Sequence, residues 1–445
     1  MFAKGGRAAG CFMTVSTQAI MTKISAPKGT RDILPAEIAA WQHAESVFAE
    51  ICSRYGYQEI RIPTFEQTDL FQRGVGDTTD VVQKEMYTFD DKGGRSMTLR
   101  PEGTAGVVRS YLENGMASLP SPVRLYYNIT AFRYEKMQKG RYREFHQFGC
   151  EIFGSAGPLA DAELVSLLDL FFKTLGLKQT SLHINSIGCP VCRAQYHNIL
   201  REYLEPNLSQ LCETCKIRFD KNPLRILDCK EHGCQDTVKS APALLDHLCP
   251  DCQDHFDGFC QHLNDLGLDY TIDKGIVRGL DYYTRTVFEF VSEHVGTQGT
   301  ICGGGRYDGL VEEIGGQSTP GIGFALGVER LLMEMQQQDV AMPFSLKPTV
   351  YLAALGDAAK RAVQLCLEWR RAGIRVDSDL MDRSLKAQLK YAGKQGVRFV
   401  IVLGEDELEK NEIKIRDMND RSEISMPLNE IEGFLAGRQA ELDQH

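Results

Sequence analysis

No apolar run in the 445 residues approaches the ~20 that a membrane-spanning helix needs, so nothing in the sequence calls for a membrane partner. Internal repeats and low-complexity tracts are absent too, which excludes solenoid arrays and long disordered segments. Positive charge is not in excess: 50 Lys and Arg stand against 60 Asp and Glu, a net charge of −10. That balance gives no sign of a nucleic-acid partner, while leaving room for a local basic surface. Residues 1–22 contain no acid, carry Lys4 and Arg7, and lack the apolar centre of a secretory signal. They read as an N-terminal extension, disordered or the product of a non-native start, with a transit peptide as the alternative and Met13 or Met21 as a candidate first residue. With no export signal, the expected compartment is cytoplasmic.

What is present points to an ordinary globular chain, 43% hydrophobic and 25% charged, long enough for two or three domains with proper cores. Mixed helical and alternating-strand patterns, with every glycine-rich polar motif, fall within 23–342. A cysteine-rich, helical stretch at 187–262 interrupts them, with Tyr196 to Leu211 as its clearest helix. After Pro343 and Pro348 the pattern changes to a unit covering 346–445. There Val350–Ala353, Ile374–Val376 and Phe399–Leu403 read as strands. Ala358–Arg371 reads as a helix closed by Gly373, and Ser384 as the N-cap of a helix to Ala392. This alternation predicts a small α/β domain on a largely parallel sheet.

Nine of the fourteen cysteines crowd into residues 189–260. Cys189/Cys192, Cys212/Cys215 and Cys249/Cys252 are CxxC pairs, and Cys229 with Cys234 makes a looser fourth. Without an export signal such spacing favours metal over disulfides. Four thiolates suit structural Zn²⁺, and eight suit two sites, with the pairing left open. The plainer alternative is reduced cysteines packed as small apolar residues.

Polar chemistry concentrates in a hairpin. Val123, Leu125, Tyr127 and Ile129 alternate as a strand, Phe132-Arg133-Tyr134-Glu135 leads into a polar loop, and a second strand runs from Arg143 to Glu151. Period two puts Gln147, Gly149 and Glu151 on one face, so Gly149 leaves an open floor between an amide and a carboxylate, with Arg133 on the partner strand. The competing reading is a solvated outer face. Four more constellations accompany it. Met97–Arg100 is a strand running into Pro101-Glu102-Gly103-Thr104. There Thr104 can cap the following helix, and Glu102 can hold a ligand ammonium or merely complement the helix dipole. In Arg278-Gly279-Leu280-Asp281-Tyr282-Tyr283 an arginine beside a glycine can approach a phosphate, and adjacent strand tyrosines would point to opposite faces. Cys302-Gly303-Gly304-Gly305-Arg306-Tyr307-Asp308-Gly309 permits close backbone approach but is neither a Walker loop nor GxGxxG. Pro320 to Leu331 is a glycine-rich strand turning into a helix with Arg330 in its first turn, placed to stack on a base, bind a phosphate or sit on the surface.

Together these segments resemble the class II aminoacyl-tRNA synthetases, and within them the histidyl-tRNA synthetase family. Lys28-Gly29-Thr30-Arg31-Asp32 and Glu59-Ile60-Arg61-Ile62-Pro63 look like the opening segment and the dimer-forming first class motif. Phe132 through Glu151 looks like the second, and Gly327-Val328-Glu329-Arg330 like the third. The Arg278–Tyr283 and Gly304–Gly309 segments resemble the two motifs that mark the histidine enzymes. The resemblance covers the chain from about residue 24 onward. It implies an α+β catalytic domain on a six-stranded antiparallel sheet, a homodimer, and a C-terminal α/β anticodon-binding domain. It further implies that L-histidine and ATP, with Mg²⁺, form histidyl-adenylate and pyrophosphate before histidine passes to tRNA-His. No protein nucleophile is needed, and no Ser/His or Cys/His arrangement is evident.

The resemblance also implies roles. Arg133 and Arg278 would contact the ATP α-phosphate, and Arg330 the adenine and γ-phosphate, with Arg141 also on ATP. Glu102, Thr104 and Gln147 would hold the α-amino group. Glu151 and Tyr283 would grip the imidazole, with Tyr282 and Tyr307 in the same pocket. Lys136, Gln138, Lys139 and Arg141 would face the tRNA acceptor stem, although family members often carry Arg-Pro where this chain has Lys136-Met137. Lys386, Lys390 and Lys394 form a stripe opposite Leu385 and Leu389 that suits RNA or a solvated face. The alternative function is that of a synthetase-like, non-catalytic regulatory subunit of ATP phosphoribosyltransferase.

Overall fold

The computed structural model describes residues 24–76, 79–227, 229, 231–276, 278–292, 299–341 and 347–443; the expected extension at 1–22 lies outside them. In chain order the first strands are β1 (Gln58–Glu59), β2 (Phe65–Gln67), β3 (Tyr87–Asp90), β4 (Ser96–Leu99), β5 (Val123–Phe132) and β6 (Glu144–Phe153). Next come β7 (Ser181–Ser186), β8 (Thr271–Ile272), β9 (Thr284–Val291), β10 (Thr300–Arg306) and β11 (Gly321–Gly327). The last five are β12 (Val350–Ala354), β13 (Val376–Ser378), β14 (Phe399–Leu403), β15 (Glu412–Asp417) and β16 (Glu423–Pro427).

The main sheet runs β1-β5-β6-β11-β10-β9-β7-β8. Its six central strands pair antiparallel throughout, as expected. The difference lies at the edges, where two-residue strands add on in parallel, β1 to β5 and β8 to β7, giving eight strands in all. Such short flanking strands blunt the open edges while burying few apolar side chains, so no alternation announces them. A separate three-stranded sheet, β2-β4-β3, carries the strand that leads to Glu102.

The alternation in β6 decides the two faces of the main sheet. Phe148, Cys150 and Ile152 join a core with Phe288 and Phe290 of β9 and Phe324 and Leu326 of β11, beneath the helices Ile38–Arg54 and Pro158–Thr174. Phe48 stacks on Phe148 at 4.6 Å between ring centres, and each such buried ring contributes about 1.5–3 kcal/mol. The opposite face packs Tyr127, Ile129 and Phe153 with Tyr282, Tyr283 and Tyr307.

Where β10 ends, Arg306 is fully buried. Its guanidinium pairs with Asp161 at 2.6 Å and donates to the carbonyls of Ser155 and Gly157 at 2.9 and 2.8 Å. His255 Nε2 lies 2.8 Å from the same Asp161 carboxylate, which ties the helix Pro250–Asp265 to Pro158–Thr174. A buried charge with this many partners is tolerated only while the set stays complete.

The insertion between β7 and β8 has its own core of Tyr196, Leu200, Leu204, Leu211, Ile226 and Leu244 among the cysteines. Its first helix spans Pro190–Leu204, shorter at the C-terminal end than the expected Tyr196–Leu211; a 3₁₀ segment Glu205–Gln210 follows, because Pro206 lacks the N–H that an α-helix would use. In the C-terminal unit the sheet order is β13-β12-β14-β15-β16. Only the first three strands are parallel, and β15 and β16 return antiparallel, so the expected largely parallel sheet is mixed. The reason is the short link after β14: a six-residue helix, Glu405–Lys410, and a left-handed Asn411 give less chain than the dozen or so residues of a parallel crossover. On the helix Leu385–Gln395, Lys386, Lys390 and Lys394 are exposed as expected. The buried side is Gln388 and Ala392 rather than Leu389, with Gln388 bonded to both backbone groups of Ala354.

Replacing Asp161 by Asn leaves Arg306 buried with only its 3.2 Å ion pair to Asp308. The expected loss is up to about 3–5 kcal/mol, read as an earlier midpoint in urea denaturation.

Candidate active site

Gln147 and Glu151 lie on the same face of β6, and that face is closed to solvent: Gln147 is 7% exposed and Glu151 0%. The solvated alternative is thereby excluded. The expected open floor at Gly149 is filled instead. Tyr127 of β5 stands directly opposite Gly149, and a Cβ at that glycine would lie 2.2 Å from its ring. The ring occupies the gap and brings its hydroxyl to 3.4 Å from Glu151 Oε1. Across the sheet, Gly323 of β11 pairs with Glu151, and a Cβ there would lie 1.7 Å from Oε2. Glycine on one side and a tyrosine ring on the other therefore shape the carboxylate's seat.

Two other hydroxyls complete it. Thr104 Oγ1 donates to Glu151 Oε1 at 2.7 Å, and Tyr307 Oη to Oε2 at 2.5 Å. Thr104 is thus not the helix cap that its sequence position implies. Glu102 caps instead, its carboxylate accepting the N–H groups of Thr104 and Ala105 at 2.7 and 2.9 Å. Burial pushes the Glu151 carboxyl up to about 8, against hydrogen bonds from Tyr307 and Thr104 that favour the ionised form, and the nearby Glu102 pushes the same way as burial. Burial also raises Glu102, opposed by those two backbone donors.

Tyr282 and Tyr283 precede β9 rather than lying within it. Both are therefore buried in the same cluster, ring centres 4.6 Å apart, and not on opposite faces. Arg278 places its guanidinium 5.3 Å from the Tyr283 ring centre and bonds Glu289 at 2.5 Å. It rests on Gly303, where a Cβ would come within 2.5 Å of it. Arg133 Nε donates to the Pro101 carbonyl at 2.8 Å, next to Glu102. Arg330, in the first turn of the helix Val328–Gln337, donates to the Thr300 carbonyl at 2.6 Å; burial and the nearby Arg141 lower its pKa.

The residues Glu102, Thr104, Glu151, Tyr282, Tyr283 and Tyr307 thus converge, with Arg133 and Arg278 beside them and Gln147 farther along the same face of β6. Arg141 stands apart from this group, half-buried and paired with Glu135 at 3.3 Å, and its loop rests on the helix of Arg330 through Gly140 and Met333. Lys136, Gln138 and Lys139 are exposed on the loop between β5 and β6. Three further residues receive no site role from the sequence: Tyr127, Glu289 and Glu329, whose carboxylate accepts the His146 backbone N–H at 3.0 Å. The available signals were Tyr127 in phase with Gly149 and a lone acid, Glu289, in the apolar run of β9.

Comparison with known proteins bears directly on this geometry. The histidyl-tRNA synthetase family model matches residues 29–331, and an anticodon-binding domain model matches 349–438. The chain belongs to the histidyl-tRNA synthetase family. A histidine–tRNA ligase of Acetivibrio thermocellus is 61% identical over 404 residues, 90% of this chain and 97% of that relative. One from Caldicellulosiruptor saccharolyticus is 56% identical over 402 residues, covering 90% and 96%. Among solved structures, apo histidyl-tRNA synthetase of S. aureus aligns with a TM-score of 0.80 at 39% identity, over 93% of this chain and 100% of that one.

The insertion adds a second feature, outside the amino-acid pocket. Its eight candidate cysteines gather into two tetrads, Cys189/Cys192/Cys249/Cys252 and Cys212/Cys215/Cys229/Cys234, with all four sulfurs of each within 4.8 Å of one another. Either set has the donors to hold a metal ion.

The raised Glu151 pKa makes stability pH-dependent with a definite sign. Between its ordinary 4.5 and about 8 the folded chain keeps a proton that the unfolded chain releases, so stability falls as pH rises through that window. Glu151→Gln removes the titration. Thermal melts at pH 5 and pH 8 should therefore differ less for the variant than for the wild type; an equal pH dependence in both proteins would contradict the assignment.

Proposed function

We propose that the chain is a histidine–tRNA ligase, activating L-histidine with ATP and transferring it to the 3′ end of tRNA-His. The observation that carries this reading is Gln147 Oε1, a buried amide oxygen with no hydrogen-bond partner among the described residues, on the same face as the caged Glu151. An unsatisfied buried acceptor costs about 1–3 kcal/mol and awaits a donor, and the ammonium of an amino acid is such a donor. Glu102 and Thr104 share in holding that ammonium, and Glu151 and Tyr283 take the imidazole, with Tyr282 and Tyr307 closing the pocket. Hydroxyls that fix the Glu151 carboxylate in place make it a selective partner, because an apolar side chain would leave it unpaired.

Arg133 and Arg278 approach the ATP α-phosphate from two sides. Arg278 Nε is likewise buried without a partner among the described residues, a donor set where negative charge would gather. Arg330 stacks on adenine and reaches the γ-phosphate, with Arg141 behind it. The histidine carboxylate oxygen attacks the α-phosphorus, the bond to the bridging oxygen breaks, and pyrophosphate leaves with the Mg²⁺ that ATP carries. The terminal ribose hydroxyl of tRNA then attacks the activated carbonyl and releases AMP. Positioning and charge stabilisation do the work, and no side chain need act as nucleophile.

The exposed Lys136, Gln138 and Lys139, with Arg141, face the acceptor stem, and the Lys386/Lys390/Lys394 row meets the anticodon arm. A homodimer in the cytoplasm completes the reading, assembled through Glu59–Pro63 and the neighbouring exposed rings of Phe65 and Phe89. A regulatory subunit of ATP phosphoribosyltransferase is the weaker alternative. A solved chain titled as such a subunit or a synthetase aligns at 21% identity, a likeness of fold alone. The anticodon-binding match at 349–438 and the retained arginines speak for the ligase.

Histidine-dependent ATP–pyrophosphate exchange tests the proposal. Exchange should require histidine, fall at least about 100-fold in Arg278→Ala, and need far more histidine in Gln147→Ala at little cost to ATP affinity. A folded wild-type protein without exchange would overturn the enzyme reading.

A further inference from the structure

We infer that the insertion binds two structural Zn²⁺ ions, one in each cysteine tetrad, and that the metal-braced insertion holds the Arg278–Tyr283 segment of the amino-acid pocket in place. The second half rests on the ligase reading; the first does not.

Sulfur geometry carries the metal assignment. Cys189 Sγ lies 3.7 Å from Cys192 Sγ and 3.9 Å from Cys249 Sγ, and Cys212 Sγ lies 3.9 Å from Cys229 Sγ. A tetrahedron with metal–sulfur arms of ~2.3 Å has edges of about 3.8 Å. Disulfide sulfurs lie at about 2.05 Å, and none of the described cysteines is so bonded. An iron–sulfur cluster interposes several atoms and would spread its thiolates farther than a single ion does. Four sulfurs leave no open position, which marks a structural rather than a hydrolytic site.

The backbone around the sulfurs suits thiolates. Cys189, Cys212 and Cys249 each immediately precede a helix, and the second cysteine of each CxxC lies in that helix's first turn. Helix N-termini stabilise negative charge there. The Cys249 N–H donates to Cys192 Sγ at 3.1 Å, and the Cys212 N–H to Cys234 Sγ at 3.2 Å, the outer hydrogen bonds expected around a metal-bound thiolate.

Placement gives the metals a task. The first tetrad joins the two ends of the insertion, since Cys189 and Cys249 are 60 residues apart in sequence. Arg193, directly after Cys192, donates to the Tyr283 carbonyl at 3.2 Å, and the Arg285 N–H donates to the Gly188 carbonyl at 2.9 Å. From the second lobe, Arg225 reaches the Gly279 carbonyl at 3.0 Å and Asp281 at 3.1 Å, while Arg218 pairs with Asp80 at 3.1 Å. A cavity of about 450 Å³ lies between the insertion and the Arg278–Tyr283 segment around these bridges, so on that side the hydrogen bonds and ion pairs, rather than close packing, join the two. Arg193 and Arg225 are positioning residues, each anchored beside its own tetrad.

The test uses the full-length chain. Atomic emission on protein incubated with Zn²⁺ and desalted should find two zinc ions per chain. Cys189→Ser/Cys252→Ser and Cys215→Ser/Cys234→Ser should each retain one. Fewer than two in the wild type overturns the metal sites. Arg225→Gln leaves both tetrads intact; it should keep two zinc ions, raise the histidine KM in pyrophosphate exchange about tenfold, lower kcat because Arg278 belongs to the same segment, and recover in part as Arg225→Lys. An unchanged histidine KM in Arg225→Gln overturns the positioning role. Two zinc ions in a wild type without exchange would remove the ligase reading and leave the metal sites standing.

Discussion

A carboxyl group with no exposed surface gathers hydroxyls from three separate parts of the chain: Thr104 at a helix start, Tyr127 in β5 and Tyr307 just after β10. Glu151 is the point where these elements meet, and each hydroxyl gains a buried acceptor that it would otherwise lack. Removing the carboxylate would strand all three donors, and removing any donor would leave the carboxylate less satisfied. The glycines around it follow from the same constraint, because an acceptor at the centre of a sheet needs a neighbour without a side chain. Arg133 and Arg278 then stand around a charge arrangement that is already fixed.

The arrangement of charge answers a specific physical difficulty. Glu102 and Glu151 are two carboxyls in one buried region, where bulk solvent screens them little. One is stabilised by the start of a helix, and the other stands high enough in pKa to hold its proton near neutrality. The site therefore tolerates both acids in the absence of a cation, and a bound ammonium or imidazole N–H changes that balance.

Much of this was legible in the sequence. Alternation located β5 and β6, the face shared by Gln147 and Glu151, and the strand-to-helix turn bearing Arg330. The helix Ala358–Arg371 and the strand Phe399–Leu403 lie where their patterns put them. What escaped depended on partners distant in sequence. Thr104 looks like a cap because only the fold shows the Glu102 carboxylate taking the free N–H groups and the Thr104 hydroxyl turned to Glu151. Tyr282 and Tyr283 look like strand residues because β-rich composition continues through them, whereas the strand starts at Thr284. Spacing alone marked the cysteines as metal-like but not which sets of four close, since the two ends of the insertion meet only in three dimensions.

The ring of Tyr127 lies against two backbone positions at once. A Cβ at Gly103 would come within 2.5 Å of it, as one at Gly149 would within 2.2 Å. One aromatic side chain thus sets the distance between the start of the helix Thr104–Glu113 and β6. The three positions form a set whose members cannot drift independently. A side chain at 103 or 149 therefore requires the ring at 127 to move or to be lost, while Thr104 and Tyr307 would still donate to Glu151. Substitutions at this corner of the fold are coupled rather than independent.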